Sequence, residues 1–213
     1  MSIRGIITGD VINSTALPLE QRKNLLSSLS VVVDEIRAVH PLEYEFYRGD
    51  GIQVVVKNPA DTLIVGVLIR AGLRASSPEG TGSVWDVRLS LSVGQVETLE
   101  GSIAVSDGEA FRLSGRSLDT MGKATLRLST PWPDVDDEFG VSLPFADDVI
   151  CGWTSNHARV MFRSLLTGQS QKDLAAEFGR SAQIISRALI LAKEKLIRNL
   201  LCRFAVVISA KIK

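Results

Sequence analysis

Residues 44–56, "YEFYRGDGIQVVV", set two runs of β-forming side chains around a glycine, an aspartate and a second glycine. Gly49 and Gly51 supply the backbone freedom of a tight turn, so the segment reads as strand, turn, strand. What flanks this hairpin restricts the fold. "IRGIITGD" at 3–10 is a β-rich run ending on a carboxylate, and 17–40 place Leu25, Leu29, Val32, Val33 and Ile36 at helical spacing. Pro59 opens a second helical stretch at 59–77, where a missing backbone donor does no harm in the first turn. "SPEGTG" at 77–82 reads as a loop and "VWDVRLSLSVGQVE" at 84–97 as a strand. The order β, α, β, β, α, β is the split, ferredoxin-like arrangement.

Charge divides the chain. The whole is neutral, with 24 basic and 24 acidic residues among 213, yet residues 151–213 carry 11 basic against 3 acidic, leaving 13 against 21 in residues 1–150. The expected organisation is a ferredoxin-like unit at 1–135, an exposed acidic and proline-bearing linker at 136–152, and a basic helical unit at 153–213. The fold class is α+β followed by an all-α part, and the basic part suits a phosphate backbone. Cys151 and Cys202 have no metal-ligand spacing, and nothing at the start reads as a secretion signal. A reduced, cytoplasmic protein without a membrane partner is expected, since no apolar run approaches the ~18 residues of a span.

The predicted strand order brings Asp10, at the end of the first strand, beside Asp50 in the hairpin. Two carboxylates on one sheet edge suit Mg²⁺ (or Mn²⁺), which takes one or two carboxylates together with substrate phosphates. Asp50 serves equally well as an ordinary turn residue, so both readings stand. In "VSDGEAFRLSGRSLDTM", 105–121, Ser106 or Asp107 is positioned to cap a helix that carries Arg112 and Arg116 one turn apart. The two guanidiniums either capture a phosphate or pair with acidic neighbours such as Glu109 and Asp119. Gly115 within that helix points to a close packing contact.

These residues resemble the palm-type domain of class III nucleotide cyclases. The resemblance implies that Asp10 and Asp50 hold metal, that Gly49 and Gly51 shape the turn, and that Arg116 takes phosphate. It also shows departures: Arg112 stands where the family has Asn, Phe46 replaces the purine-selecting Lys, and the purine-selecting Asp has no counterpart. A purine cyclase is therefore not expected, whereas a nucleotide or phosphate ligand is.

Residues 168–196, "GQSQKDLAAEFGRSAQIISRALILAKEKL", carry a helix-turn-helix pattern. Leu174 and Ala175 face inward, Phe178 closes the first helix, Gly179 makes the turn, Ser181 caps the second helix and Ile185 anchors it. Gln183, Ser186 and Arg187 then face outward toward a major groove, with Gln171 and Lys172 at the start of the first helix as further DNA contacts. Arg180 stands where an apolar residue is usual. A helix from about 154 to 166 introduces the pair, and His40 and His157 are too far apart to make one site. The apolar tail 203–213 suits a strand, a continued helix or a dimer contact.

From end to end the chain resembles the SatD-like family of bacterial proteins. The likeness rests on "ITGDVINS", "RGDGIQ", "SDGEAFRLSGRSLDTM" and "GWTSNHARVMFRSLLTGQSQKDLAAEFGRSAQIISRAL". It implies a link to stress adaptation. Three functions are consistent with these features: a homodimeric DNA-binding transcriptional regulator sensing a nucleotide or metal-phosphate ligand, a metal-dependent nucleotidyl or phosphoryl transferase, and a degenerate palm that only dimerises.

Overall fold

The structure, a computed structural model, describes residues 2–47, 49–78, 84–97, 103 and 106–213. Arg48 of the hairpin motif and most of the expected loop at 77–82 lie outside the described residues. The chain is a mixed α+β protein with five strands and eight helices among the described residues. Strands β1 (Ser2–Val11), β2 (Leu42–Tyr47), β3 (Gly51–Val56), β4 (Val87–Val96) and β5 (Leu126–Ser129) form one sheet in the order β2-β3-β1-β4-β5. The first four are antiparallel neighbours in the expected order, and β5 adds to β4 in parallel.

Alternation along β1 decides what each face carries. Ile7 and Val11 join the large core, under helices α1 (Leu19–Arg37) and α2 (Thr62–Ala75). Ile6 points the other way, into a small cluster with Val55, Val96, Ile103, Ala110 and Phe111, beneath α3 (Glu109–Thr120). All five apolar positions expected on the first helix are buried in α1.

Helix α4 (Pro133–Cys151) corrects the expected linker at 136–152. Its acids and prolines suggest exposure, but Val135, Phe139, Leu143, Ala146 and Ile150 recur at helical spacing and are buried, and Pro133 sits harmlessly in the first turn. Phe139 meets Phe204 of α8 (Glu194–Lys211) edge on, with ring centroids 5.3 Å apart. The tail at 203–213 is thus largely a helical continuation. Between α4 and α8 lie α5 (Ser155–Thr167), α6 (Gln171–Glu177) and α7 (Ala182–Leu191).

The core runs without interruption from Ile7 to Ile208. Helix α2 lies between the sheet and α5, which is why it is buried nearly all round. At Gly72 even a methyl group would stand 2.4 Å from Val32 of α1 and 3.0 Å from Phe162 of α5. Arg70 and Arg74 close this junction. Arg70, fully buried, gives Nε and Nη2 to Asp86 at 3.0 and 2.7 Å and Nη1 to Asp147 at 2.6 Å. Arg74 reaches Asp86 at 2.6 Å and the carbonyls of Cys151 and Trp153 at 2.6 and 2.7 Å. Burial alone would lower the Arg70 pKa, but the hydrogen bond and charge of Asp86, with Asp147, raise it, so the ion stays charged.

Candidate functional site

The hairpin places the two expected carboxylates as backbone neighbours. Asp10 pairs in register with Gly51, and the Val11 N–H donates to the Asp50 carbonyl at 3.3 Å. Gly49 adopts φ +87°, a left-handed conformation the turn requires. Their side chains take different partners. Asp10 shares a sheet face with Thr8 and Arg88, and Arg88 grips it with two bonds, Nε to Oδ1 at 2.8 Å and Nη2 to Oδ2 at 2.5 Å. The hydrogen bond to Asp10 raises the Arg88 pKa. Asp50 instead accepts a bond from the Ser14 hydroxyl, in the short 3-10 turn after β1.

This arrangement does not fit Mg²⁺ or Mn²⁺ as it stands. Both Asp10 oxygens are held by one guanidinium, so an incoming divalent ion would meet a positive charge at its own ligand. Among the described residues no three His, Cys, Asp or Glu groups cluster for a metal. Arg88, Ser14 and Arg22 are the residues that sequence reasoning missed here. A methyl group at Gly49 would sit 3.0 Å from Nη2 of Arg22, which places that guanidinium against the turn. Arg88 had one signal, since Arg88, Ser90 and Ser92 alternate on one face of a strand predicted to lie near Asp10. Phe46 is exposed and meets Tyr44 edge on at 5.7 Å.

The two α3 arginines part company. Arg112 pairs with Asp107 at 3.0 Å and Glu97 at 3.3 Å, a version of the acidic pairing expected above with other partners. Neither Ser106 nor Asp107 caps the helix; Gly108 is the cap residue, and Asp107 accepts from its N–H at 2.6 Å. Arg116 lines a cavity of about 570 Å³ between α3, β5 and α4. Gly115 has nothing within 4 Å of an added methyl group, which overturns the close contact expected there.

The rear helices have the turn expected at Gly179 and the cap expected at Ser181, and add an unexpected cap at Ser170. Ser170 and Asp173 form a reciprocal cap on α6, and the Ser181 hydroxyl accepts from the Ile184 N–H to cap α7. Gly179 turns the chain at φ +59°, while Leu174 and Ile185 are buried between the helices. Gln171, Lys172, Gln183 and Arg187 are exposed, and Ser186 is half-buried. Nine of the eleven cations of residues 151–213 fall into two groups. Arg163 is tied to Glu35 and Glu177, Arg198 to Glu194, Arg203 to Glu138 and Lys211 to Asp134. Lys172, Arg180, Arg187, Lys193 and Lys195 are exposed and form no ion pair among the described residues. No helix among the described residues is long and apolar enough to cross a membrane.

Solved structures of nucleotide cyclase domains are similar to this chain over somewhat more than half its length. The guanylyl cyclase domain of the RhoGC fusion protein from the aquatic fungus Blastocladiella emersonii is 19% identical, with a TM-score of 0.46 over 56% of this chain and 75% of that one. The guanylate cyclase domain of RhGC from Catenaria anguillulae, solved in complex with GTP, is 18% identical, with a TM-score of 0.44 over 56% and 73%. A bacterial light-regulated adenylyl cyclase is 18% identical, with a TM-score of 0.48 over 60% and 76%. The likeness is one of fold alone. No family model matches the sequence, and no curated protein matches it.

Proposed function

We infer that the chain is a DNA-binding transcriptional regulator of the SatD-like type, with α6 and α7 as its helix-turn-helix. The observation that carries this reading is the sorting of the rear cations. Arg163, Arg203 and Lys211 are neutralised by acids of the sheet half and α4, whereas Lys172, Arg180, Arg187, Lys193 and Lys195, around α6, α7 and the start of α8, have no ion pair among the described residues and suit an external anion. Gln183 and Arg187 lie on the outer face of α7, where Gln pairs with adenine and Arg with guanine through two hydrogen bonds each. Lys172, Arg180 and Lys195 supply phosphate contacts. A single helix of this kind reads few bases, so two copies act together, paired through the sheet half.

The sheet half senses an anionic ligand such as a nucleotide at the Asp10–Asp50 corner, where the ligand competes with Asp10 for Arg88. The closure of Asp10 by Arg88, and of Asp50 by Ser14, favours a second reading in which this half is only a pairing platform. A metal-dependent transferase would need Asp10 released first. Titrating duplex DNA at several salt concentrations tests the main reading: the logarithm of affinity should fall with the logarithm of salt at a slope of about −3 or steeper. A flat response overturns DNA binding. Calorimetry with nucleoside triphosphates and Mg²⁺ then separates sensor from platform, since the platform predicts no binding to wild type or to Asp50→Ala.

A further inference from the structure

The cavity beside Arg116 lies on the open edge of the sheet. β5 pairs with β4 alone, and the Leu89 N–H donates to the Thr125 carbonyl at 3.0 Å. In a parallel ladder alternate residues face the neighbour, so Thr125, Arg127 and Ser129 turn to β4 while Leu126, Leu128 and Thr130 present their backbone groups outward. Two carboxylates close the ends of that edge. Asp147 accepts from the Leu126 N–H at 3.2 Å, and Asp136 accepts from the Thr130 N–H at 2.8 Å. Between these caps Leu128 lines the cavity, and the ladder register turns its N–H and C=O, a donor beside an acceptor, away from β4 to the free edge of the sheet.

The opposite wall is built from residues that a helix otherwise avoids. Gly140, in the middle of α4, lines the cavity, and a methyl group there would touch nothing within 4 Å. Pro144, one turn on, also lines it and has no N–H for the Gly140 carbonyl, so the helix lacks a rung on this side. Two residues unfavourable to a helix interior thus keep the space open. The charge inside is unbalanced. Among the described residues Arg116 forms no ion pair, and the Arg127 guanidinium donates to the Thr120 carbonyl at 3.3 Å and feels the charge of Asp136 without an ion pair to it. Asp136 is the facing acid; it is occupied by the Thr130 N–H and hydroxyl, and burial raises its pKa. The buried Ser117 hydroxyl has no hydrogen-bond partner among the described residues. Leu113, Met121 and Phe139 give the site an apolar floor.

We propose that this cavity binds a small oxyanion carried on a flat ring: Arg116 and Arg127 take the phosphate or carboxylate, and the Leu128 backbone pairs with donor and acceptor groups on the ring edge. At about 570 Å³ the cavity is in the size range of ligand sites. The site is separate from the Asp10–Asp50 corner and independent of DNA binding.

The test is calorimetric titration of the full chain with AMP, orotate and inorganic phosphate. AMP and orotate represent phosphate and carboxylate heads on hydrogen-bonding rings, and inorganic phosphate is the head alone. At least one ring-bearing probe should bind, more tightly than inorganic phosphate. Its affinity should fall about tenfold or more in Arg116→Ala, which removes a charged hydrogen-bond donor, and should be abolished in Gly140→Leu, which fills the cavity from a position where a larger side chain has room to start. Arg116 is exposed, so its variant keeps the fold, and circular dichroism checks both. Failure of both ring probes to bind, inorganic phosphate binding as tightly as they do, or binding unchanged in both variants overturns the proposal.

Discussion

The junction under α2 and the outer face of α7 are both rich in arginine, yet they use it in opposite ways. At the junction, Arg70 and Arg74 spend their donors on Asp86, Asp147 and two backbone carbonyls, and solvent is excluded. In the turn before α7 and on its outer face, Arg180 and Arg187 are exposed and form no ion pair among the described residues. A buried guanidinium with every nitrogen bonded fixes the packing around it. An exposed one with none answered remains available to a ligand. The Arg88–Asp10 pair lies between these cases, about one-third exposed on both sides.

Changing each region should separate these roles. Arg70→Leu leaves Asp86 and Asp147 in a dry site without their shared cation, so urea denaturation should show a loss of about 3–5 kcal/mol. A loss below ~1 kcal/mol would mean the junction charges are far better hydrated than their burial indicates. Asp147→Asn should cost about 1.5–3 kcal/mol at neutral pH. Burial works to raise the Asp147 pKa, but its bonds with Thr125 and its pairing with Arg70 lower it. A depressed carboxylate stabilises above its unfolded value of about 3.9, and that contribution disappears as pH falls through the lower folded value. The gap between wild type and Asp147→Asn should therefore narrow below about pH 4 in acid titrations followed by circular dichroism.

On the outer face the pattern should reverse. Arg187→Ala should leave thermal stability within about 0.5 kcal/mol while weakening binding to a selected DNA site by about 1–3 kcal/mol, measured by fluorescence anisotropy. Equal loss on random and selected duplexes would demote Arg187 to a phosphate contact. The smallest effect belongs to the corner. Arg88→Ala should cost under ~1 kcal/mol of stability, as partly exposed pairs do, and should free Asp10 so that Mg²⁺ binding becomes measurable by calorimetry. Strong Mg²⁺ binding to wild type would show that Arg88 does not block the ion.

Local signals were legible in the sequence where burial and periodicity agree. The βαββαβ order, the buried stripe of α1 and the cap at Ser181 are written in short spacings, and the structure has them. Helix α4 was obscured because its acids and prolines stand among its apolar residues, although Val135, Phe139, Leu143, Ala146 and Ile150 keep a helical period. The Arg88–Asp10 pair joins residues 78 positions apart, so it becomes visible only once strand register is known. The edge cavity depends on what two helices leave uncovered beside β5, and no spacing along one segment encodes that. Gly115 misled because an interior glycine suggests crowding, whereas here it stands in open space.

The Trp153 indole N–H donates to the Ala192 carbonyl at 2.9 Å, and Arg74 holds the Cys151 and Trp153 carbonyls on the other side of the same bend. Severing the chain near residue 152 and parting the halves would break the Arg74–Trp153 bonds and strip α5 of its cover by α2, exposing Met161 and Phe162. The two fragments would be adhesive remnants rather than portable modules. Transplanting the outward side chains of α7 onto an unrelated helical scaffold is a cleaner way to study them in isolation.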